Sequence, residues 1–241
     1  VLALFPFEPP LMQAAGMRCD FVGHPVVTDV LASDAERFAW AGEGPLVLVL
    51  PGSRRGEVSR LMGRFGAVAA QVAAVHPDAR FVIPTTQNVT GLVQEMASKW
   101  PVPVQILPGD ASGEKRGVFA AADVALAASG TVSLELAANA TPMVIAYDMA
   151  WVSRMIIKRM LLVDTVTLVN LVSETRVVPE FIGKACVPEP IAAAVLDVLA
   201  DPSRQHAAMA LTMDRLGRGG QAPGARAARA VLQASAAARS E

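Results

Sequence analysis

Short apolar runs alternate with helical patterns along most of this chain. The runs are short enough for buried strands and recur near residues 46–50, 80–84, 103–107, 123–127, 143–147 and 166–169. Between them lie segments whose apolar positions follow the 3.6-residue helical period, at 56–75, 88–99, 114–122, 131–139 and 150–161. Strict alternation of strand and helix predicts an α/β fold with a parallel sheet and right-handed crossovers.

The same pattern changes near both ends of the chain. It divides the sequence into four predicted parts, residues 1–27, 28–44, 45–216 and 217–241. The first part is predicted to hold a strand, a short helix around 10–15 and a second strand near 19–22. Proline and glycine in the second part indicate a linker between domains. The third part is the main α/β domain, and the chain after Pro188 is predicted to be helical into an alanine-rich tail.

Composition narrows the class of protein without naming a function. The 241 residues are enough to bury a full core, and 53% hydrophobic with 18% charged residues is typical of a globular protein. The net charge of −1 gives no reason to expect a nucleic-acid partner. Cys19 and Cys186 lie far apart without metal-ligand spacing, which fits a reducing, cytoplasmic setting. No segment approaches the roughly 20 apolar residues of a membrane span.

A turn of small residues follows the predicted strand 123–127. Ser129, Gly130 and Thr131 join that strand to a helix, so their backbone N–H groups are predicted to favour an anion at the helix N-terminus. Glu135 lies just over one turn inside the helix, where it can accept hydrogen bonds from a diol. The alternative is that Ser-Gly serves only the geometry of the turn.

A second turn of this kind follows the predicted strand 46–50. Ser53 and Arg54 stand at the carboxyl end of a parallel strand, which is where open α/β sheets bind ligands. Arg54 can bind a diphosphate or the charge that develops on a leaving group. The alternative is a solvated arginine at a helix start. Together the two turns favour a nucleotide-sugar site.

An ordered set of motifs resembles the lipid-A-disaccharide synthase family of GT-B glycosyltransferases. The matching segments are 5–8, 21–25, 50–54, 128–131 with Glu135, 141–147, 169–171 and 177–180. The resemblance runs from Phe5 to about Leu216. It implies a Rossmann-like donor-binding domain at 45–216 joined to a remnant of an N-terminal acceptor domain. The chain begins with Val1 inside an apolar run, so we expect that it is truncated and lacks the N-terminal α/β domain of the family.

The resemblance also implies a reaction. The donor is UDP-2,3-diacylglucosamine, the acceptor is 2,3-diacylglucosamine 1-phosphate (lipid X), and inversion gives lipid A disaccharide 1-phosphate and UDP. With no Asp-x-Asp box in the sequence, we expect neither a metal nor a cofactor. The general base is expected in the missing domain, and Glu8 and His24 are the candidates within this chain. We therefore expect the chain to bind nucleotide but to make no disaccharide alone.

Further residues take roles from the resemblance. Asn170, at the end of the predicted strand 166–169, would contact the nucleotide-sugar, or else make an Asx turn. Glu180, in the first turn of a short helix after Pro179, would lie near the donor. The alternative is an acidic residue at a helix start, where the helix dipole stabilises its charge. Arg176 would bind the diphosphate or be exposed. Backbone groups near Leu107 and Pro108 would contact the uracil.

Segment 151–162 and the C-terminal tail are the two parts of the chain predicted to contact a larger partner. Segment 151–162 places three basic residues among large apolar ones, which suits either an anionic membrane surface or an ordinary sheet-packing helix. The resemblance implies peripheral contact with the inner face of the inner membrane, and the tail can dock on a second copy as a homodimer.

The alternatives to this function are another GT-B enzyme with a UDP-N-acetylglucosamine-type donor, such as a muramyl-lipid transferase or an epimerase, and a non-catalytic nucleotide-binding module. A nicotinamide dehydrogenase is disfavoured because no Gly-x-Gly-x-x-Gly follows a strand.

Overall fold

The chain folds around one large parallel sheet preceded by a much smaller one. The computed structural model describes residues 1–148 and 164–238. The predicted helix 150–161 and the basic segment 151–162 therefore lie outside the described residues.

The small sheet pairs two short parallel strands from the first part of the chain. Strand β1 (Leu2–Ala3) lies beside β2 (Asp20–Phe21), and helix α1 (Glu8–Ala14) connects them. A 3₁₀ turn (Pro25–Thr28) and helix α2 (Asp34–Phe38) follow. Helix α2 begins with a capping box in which the Ser33 and Glu36 side chains each accept a hydrogen bond from the other's backbone N–H. The segment predicted as a linker thus contains a capped helix.

The main sheet has six strands, all parallel. They are β3 (Leu46–Leu50), β4 (Arg80–Pro84), β5 (Gln105–Leu107), β6 (Val124–Ala127), β7 (Met143–Tyr147) and β8 (Glu180–Ile182). Their order across the sheet is β5-β4-β3-β6-β7-β8. The described helices of this part are α3 (Arg55–Val75), α4 (Thr90–Ala97), α5 (Ser112–Ala121), α6 (Val132–Ala138), α7 (Leu168–Ser173), α8 (Pro188–Ala200), α9 (Ser203–Arg215) and α10 (Pro223–Ala238). The parallel α/β prediction is confirmed.

Helices cover both faces of this sheet, so its strands are apolar throughout. In β3 the side chains alternate: Leu46, Leu48 and Leu50 join one hydrophobic cluster, and Val47 and Val49 join the other. Helices α5, α6, α7 and α9 pack on the first face, while α3, α4 and α8 pack on the second.

The strand order creates one crevice at the carboxyl edge of the sheet. Strand β3 lies beside β6, yet the helix after β3 packs on one face and the helix after β6 on the other. The chain segments that follow β3 and β6 therefore lead to opposite faces of the sheet and leave a gap at the carboxyl ends of these two strands. Such a switch point is where sheets of this type bind their ligands.

Two local predictions are wrong. The run 166–169, predicted as a strand, leads instead into α7, because Val169, Val172 and Ser173 are buried at helical spacing against the first face. A short apolar run is compatible with either structure until packing decides it. Glu180, predicted in the first turn of a helix, begins strand β8, which adds to the edge of the sheet beside β7. The Pro179 carbonyl accepts from the Ile145 N–H at 2.9 Å, which a proline can do because it lacks only the backbone donor.

The last helix returns to the small sheet. The Arg226 Nη2 donates to the Phe21 carbonyl at 2.7 Å, and its guanidinium lies 5.0 Å from the centre of the Phe21 ring. Close by, the His24 N–H donates to the Leu216 carbonyl at 3.2 Å. In the described part of the chain, no helix combines the length and apolar character needed to cross a bilayer.

Candidate functional site

A cavity of about 440 Å³ opens at the switch point between β3 and β6. Its lining comes from the ends of β3 and β4, the loops after β3, β4 and β6, and helices α3, α5 and α6: Leu50, Pro51, Gly52, Ser53, Arg54, Glu57, Pro84, Thr85, Thr86, Lys115, Phe119, Ala128, Ser129, Gly130, Thr131, Val132 and Glu135. The six residues predicted at the two turns are all among them. A larger depression of about 580 Å³ beside β5 carries no charged side chain.

The loop after β3 is built around a carboxylate. Gly52 has φ +105°, and a Cβ there would lie 2.5 Å from Glu57 Oε2. The same Oε2 accepts from the Arg54 N–H at 3.3 Å, and Oε1 accepts from Arg54 Nη1 at 2.8 Å. The Arg54 side chain is still 80% exposed. Glycine is thus required for the loop to close over Glu57, which holds the arginine at the mouth of the cavity.

Both turns present unused backbone donors. The N–H groups of Gly52, Ser53, Ser129, Gly130 and Thr131 donate to no described residue. The turn after β6 is closed by Ser133, whose Oγ donates to the Gly130 carbonyl at 2.9 Å. Amides that face a cavity without internal partners are suited to an anion with several oxygens.

Helices α5 and α6 place an ion pair in the same cavity. Lys115 Nζ lies 3.6 Å from Glu135 Oε2 and 5.3 Å from the centre of the Phe119 ring. Sequence reasoning identified Glu135 but missed Lys115, because helix α5 carries no motif. It also missed Glu57, which stands three residues after Arg54, where a helix-capping acid is expected.

The loop after β4 closes the cavity on the side of β5. The Thr85 N–H and the Thr85 hydroxyl both donate to the Leu107 carbonyl at 2.9 Å. Asn88 Nδ2 donates to the Ser53 carbonyl at 2.9 Å, which ties this loop to the one after β3. Leu107 and Pro108 are not brought into the lining, and the two lone pairs of the Leu107 carbonyl are already used.

Asn170 and Glu180 lie together in a buried polar network. The Asn170 amide donates to the Val178 carbonyl at 2.9 Å and accepts from the Val178 N–H at 3.1 Å. Glu180 accepts from the Thr165 hydroxyl and from the Thr167 N–H at 2.8 Å. These bonds join α7 to β8, and neither side chain lines the cavity.

Arg176 likewise lies outside the cavity lining. Its guanidinium forms an ion pair with Asp164. The hydrogen bond from Arg176 lowers the pKa of the Asp164 carboxyl, and the same bond raises the pKa of Arg176.

Glu8 and His24 lie beside the small sheet, Glu8 at the start of α1 and His24 just before the 3₁₀ turn. Glu8 Oε2 accepts from the backbone N–H groups of Leu4 at 2.9 Å and Phe5 at 2.8 Å. His24 Nδ1 accepts from the Val26 N–H at 3.2 Å, and its ring lies 5.3 Å from that of Phe5. Burial lowers the pKa of His24, although the carboxylates of Asp29 and Glu8 act in the opposite direction. Neither residue lines the cavity.

Acidic and metal-binding side chains do not gather at this site. Within residues 1–148 and 164–238, no three His, Cys, Asp or Glu side chains stand close enough to share a metal ion.

The fold resembles that of solved GT-B proteins. A UDP-GlcNAc 2-epimerase from Neisseria meningitidis, bound to UDP-GlcNAc, aligns with a TM-score of 0.65 at 14% identity, over 96% of this chain and 61% of its own. The C-terminal domain of a group 1 family glycosyl transferase from Francisella tularensis aligns with a TM-score of 0.51 at 14% identity, over 79% of this chain and 95% of its own. The GT-B prediction for the fold is confirmed.

Sequence comparison identifies the family. Residues 1–234 match the model of the lipid-A-disaccharide synthetase family. The chain is 57% identical to a lipid-A-disaccharide synthase of Ruegeria pomeroyi over 96% of its length and 61% of the relative's. It is 45% identical to one of Rhodospirillum centenum over 96% of its length and 59% of the relative's. The chain thus spans about three fifths of the length of these relatives, and it belongs to the lipid-A-disaccharide synthase family.

Proposed function

We propose that this chain supplies the donor-binding half of an inverting lipid-A-disaccharide synthase. The donor is UDP-2,3-diacylglucosamine, the acceptor is 2,3-diacylglucosamine 1-phosphate, and the products are lipid A disaccharide 1-phosphate and UDP. The observation that carries the proposal is the cavity at the switch point, which is lined by Arg54 and by five residues whose backbone N–H groups have no partner among the described residues. Membership of the family supports the choice of substrates.

The proposed donor pose follows from the charges around the cavity. The diphosphate lies between the two turns, where Ser53, Arg54 and the N–H groups of residues 129–131 meet its oxygens. Glu135 accepts from the ribose. The uracil then extends toward the loops after β4 and β5, near Leu107 and Pro108. It must use groups other than the Leu107 carbonyl, which Thr85 occupies.

The proposed reaction requires a general base and a group that stabilises the leaving diphosphate. The acceptor's 6-hydroxyl oxygen bonds to the anomeric carbon while the bond from that carbon to the diphosphate breaks, and UDP leaves with the electron pair. A general base takes the hydroxyl proton, and cationic groups stabilise the departing diphosphate. The cavity supplies the second requirement. Glu8 and His24 remain the candidate bases within this chain, and Asn170, Arg176 and Glu180 keep their proposed roles near the donor as hypotheses.

Two contacts belong to the same proposal. Segment 151–162, with Arg154, Lys158 and Arg159, suits the anionic inner face of the inner membrane, where the lipid substrates reside. Cosedimentation with anionic vesicles tests this contact. A homodimer through α10 is supported by its exposed Val231 and Leu232, and light scattering measures it.

Calorimetry of UDP binding in the presence of a chelator tests the donor site. We expect binding without metal, because arginine and backbone amides rather than a cation meet the diphosphate. Binding that appears only after magnesium is added would contradict the metal-free site. No binding under either condition would contradict the donor-binding function itself.

A further inference from the structure

Helix α5 stands between the cavity and helix α2. Lys115 and Phe119, which lie about one helical turn apart, line the cavity. Gly113 and Gly117 lie on the opposite side of α5 and face α2. None of the residues of α2 lines the cavity. The wall that α5 forms therefore has the ligand space on one side and α2 on the other.

Glycine lets these two helices approach each other closely. A Cβ at Gly117 would lie 2.4 Å from the Glu36 carbonyl oxygen and 3.0 Å from Trp40 Nε1. A Cβ at Gly113 would lie 3.3 Å from Glu36 Oε1. The Trp40 side chain, just after α2, is buried in the same hydrophobic cluster as Phe119. Because no space is left between the helices, α2 limits how far α5 can move away from the cavity.

An ion pair joins the two helices at this contact. Arg116 Nη2 donates to Glu36 Oε1. The other oxygen of the same carboxylate, Oε2, accepts from the Ser33 N–H at 2.8 Å in the capping box. Glu36 therefore holds both the start of α2 and the side of α5.

Stability alone explains this ion pair poorly. The side chains of Arg116 and Glu36 are 40% and 27% exposed, and ion pairs open to solvent contribute little to the free energy of folding. Arg116 Nε is buried and has no hydrogen-bond partner among the described residues, which opposes folding. The position that the pair gives to α5 is the better explanation.

We propose that Arg116 and Glu36 are positioning residues that couple occupation of the cavity to the docking of α2 on α5. The inference rests on the proposed function, which supplies UDP as the ligand. With α2 docked, α5 holds Lys115 and Phe119 at the cavity, and UDP binds more tightly. Such coupling is reciprocal, so bound UDP must stabilise the docked α2 by the same factor, although α2 does not line the cavity.

Hydrogen–deuterium exchange with and without saturating UDP tests the coupling. In the unmodified chain we expect UDP to slow exchange of the backbone amides of α2 by roughly fivefold or more. In Arg116→Met these amides should exchange faster without UDP, and UDP should slow them by less than about twofold. The affinity for UDP, measured by calorimetry, should fall by about two- to fivefold in the same variant.

Two further variants and a control separate positioning from folding. Arg116→Lys keeps a charge opposite Glu36 and should restore most of the effect of UDP on α2. Glu36→Gln keeps an oxygen for the capping box but removes the charge, so it should shift both measurements toward those of Arg116→Met. Arg37→Met removes the same charge from an exposed position of α2 itself and should change neither measurement.

The contrary results can be told apart. UDP that binds to the unmodified chain without slowing exchange in α2 would contradict the coupling and leave the donor site standing. A full effect of UDP on α2 in Arg116→Met would overturn the role of the ion pair. Absence of UDP binding would overturn the proposed function and the coupling with it.

Discussion

Arg54 combines an exposed guanidinium with a backbone held by Glu57. Arg54→Ala should weaken UDP binding by roughly three- to tenfold, a modest loss because exposed charges are partly screened by solvent. Uridine lacks the diphosphate, so its affinity should not change. Calorimetry with both ligands checks this, and Arg55→Ala serves as the neighbouring control. Equal losses for UDP and uridine would contradict a diphosphate contact.

Gly52 is the residue on which the turn after β3 depends. Gly52→Ala combines a left-handed φ of +105° with a Cβ 2.5 Å from Glu57 Oε2. We expect a loss of about 1–3 kcal/mol in the free energy of unfolding, together with weaker UDP binding as the turn shifts. Urea denaturation and calorimetry measure the two effects.

Gly63→Ala is the control for that change. Gly63 lies within α3, and a Cβ there would meet nothing within 4 Å. Alanine in a helix interior should stabilise by roughly 0.5–1 kcal/mol. If both glycine variants behaved alike, Glu57 would not constrain the turn.

His24 should make stability depend on pH. Its pKa is lowered by burial, so the unfolded chain binds the proton more readily than the folded one. Stability from this group is present above the ordinary histidine pKa of about 6.5 and is lost as the pH falls through the lowered folded value. Protonation would also break the bond from the Val26 N–H to Nδ1.

Urea denaturation at several pH values measures this dependence. His24→Gln should flatten the fall in stability below about pH 6.5. His206→Gln, at an exposed position of α9, should leave it unchanged. A fall in stability that persists in His24→Gln would assign it to other groups.

At the scale of elements, the buried network joins α7 to β8. Asn170→Ala removes both bonds to Val178 and leaves that residue's buried N–H and C=O without their partner. We expect a loss of about 2–4 kcal/mol in the free energy of unfolding, measured in urea. UDP affinity of the folded variant should stay within about threefold, since Asn170 is not in the cavity lining.

Asn139→Ala serves as the reference for the loss of stability that follows the removal of one hydrogen bond. Asn139 Nδ2 donates to the Glu135 carbonyl at 2.8 Å from a half-buried position, so its loss should cost about 1 kcal/mol. A large loss of UDP affinity in folded Asn170→Ala would instead favour the nucleotide contact predicted from the sequence.

The elements that the sequence predicted well are those with both a strong pattern and a marked end. Strand β3 is a continuous apolar run that stops at Pro51, and it lies at 46–50 as predicted. Strand β8 has three half-buried residues at the sheet edge, too few for any pattern. The run 166–169 has no proline or other residue that marks the end of a strand. It forms a helix because its buried side chains pack against α9.

The same limit applies to the cavity. Ser53 and Glu135 could be placed together because carboxyl ends of neighbouring parallel strands meet at one edge. Lys115 and Thr85 could not, because their positions depend on how α5 and β4 pack. Asn170 was assigned to the same edge only through the strand that proved to be a helix.

At the scale of the whole molecule, Arg226 holds α10 against the small sheet. Arg226→Ala removes its hydrogen bond and its contact with the Phe21 ring. Backbone amides of α10 and β2 should then exchange with deuterium roughly tenfold faster, while those of β3 keep their protection. Arg229→Ala, an exposed position on the same helix, is the control. Unchanged exchange in Arg226→Ala would mean that other contacts hold the helix.

The chain passes between the small sheet and the main sheet twice, and the two passages touch. The His24 N–H donates to the Leu216 carbonyl, and a Cβ at Gly23 would come within 2.8 Å of that oxygen. Two covalent passages joined at one point act mechanically as a single pivot. We expect sliding of the small sheet along the large one to be opposed by both passages at once. We therefore expect any relative motion of the two sheets to be a rotation about that contact, limited by the bond from Arg226 to the Phe21 carbonyl.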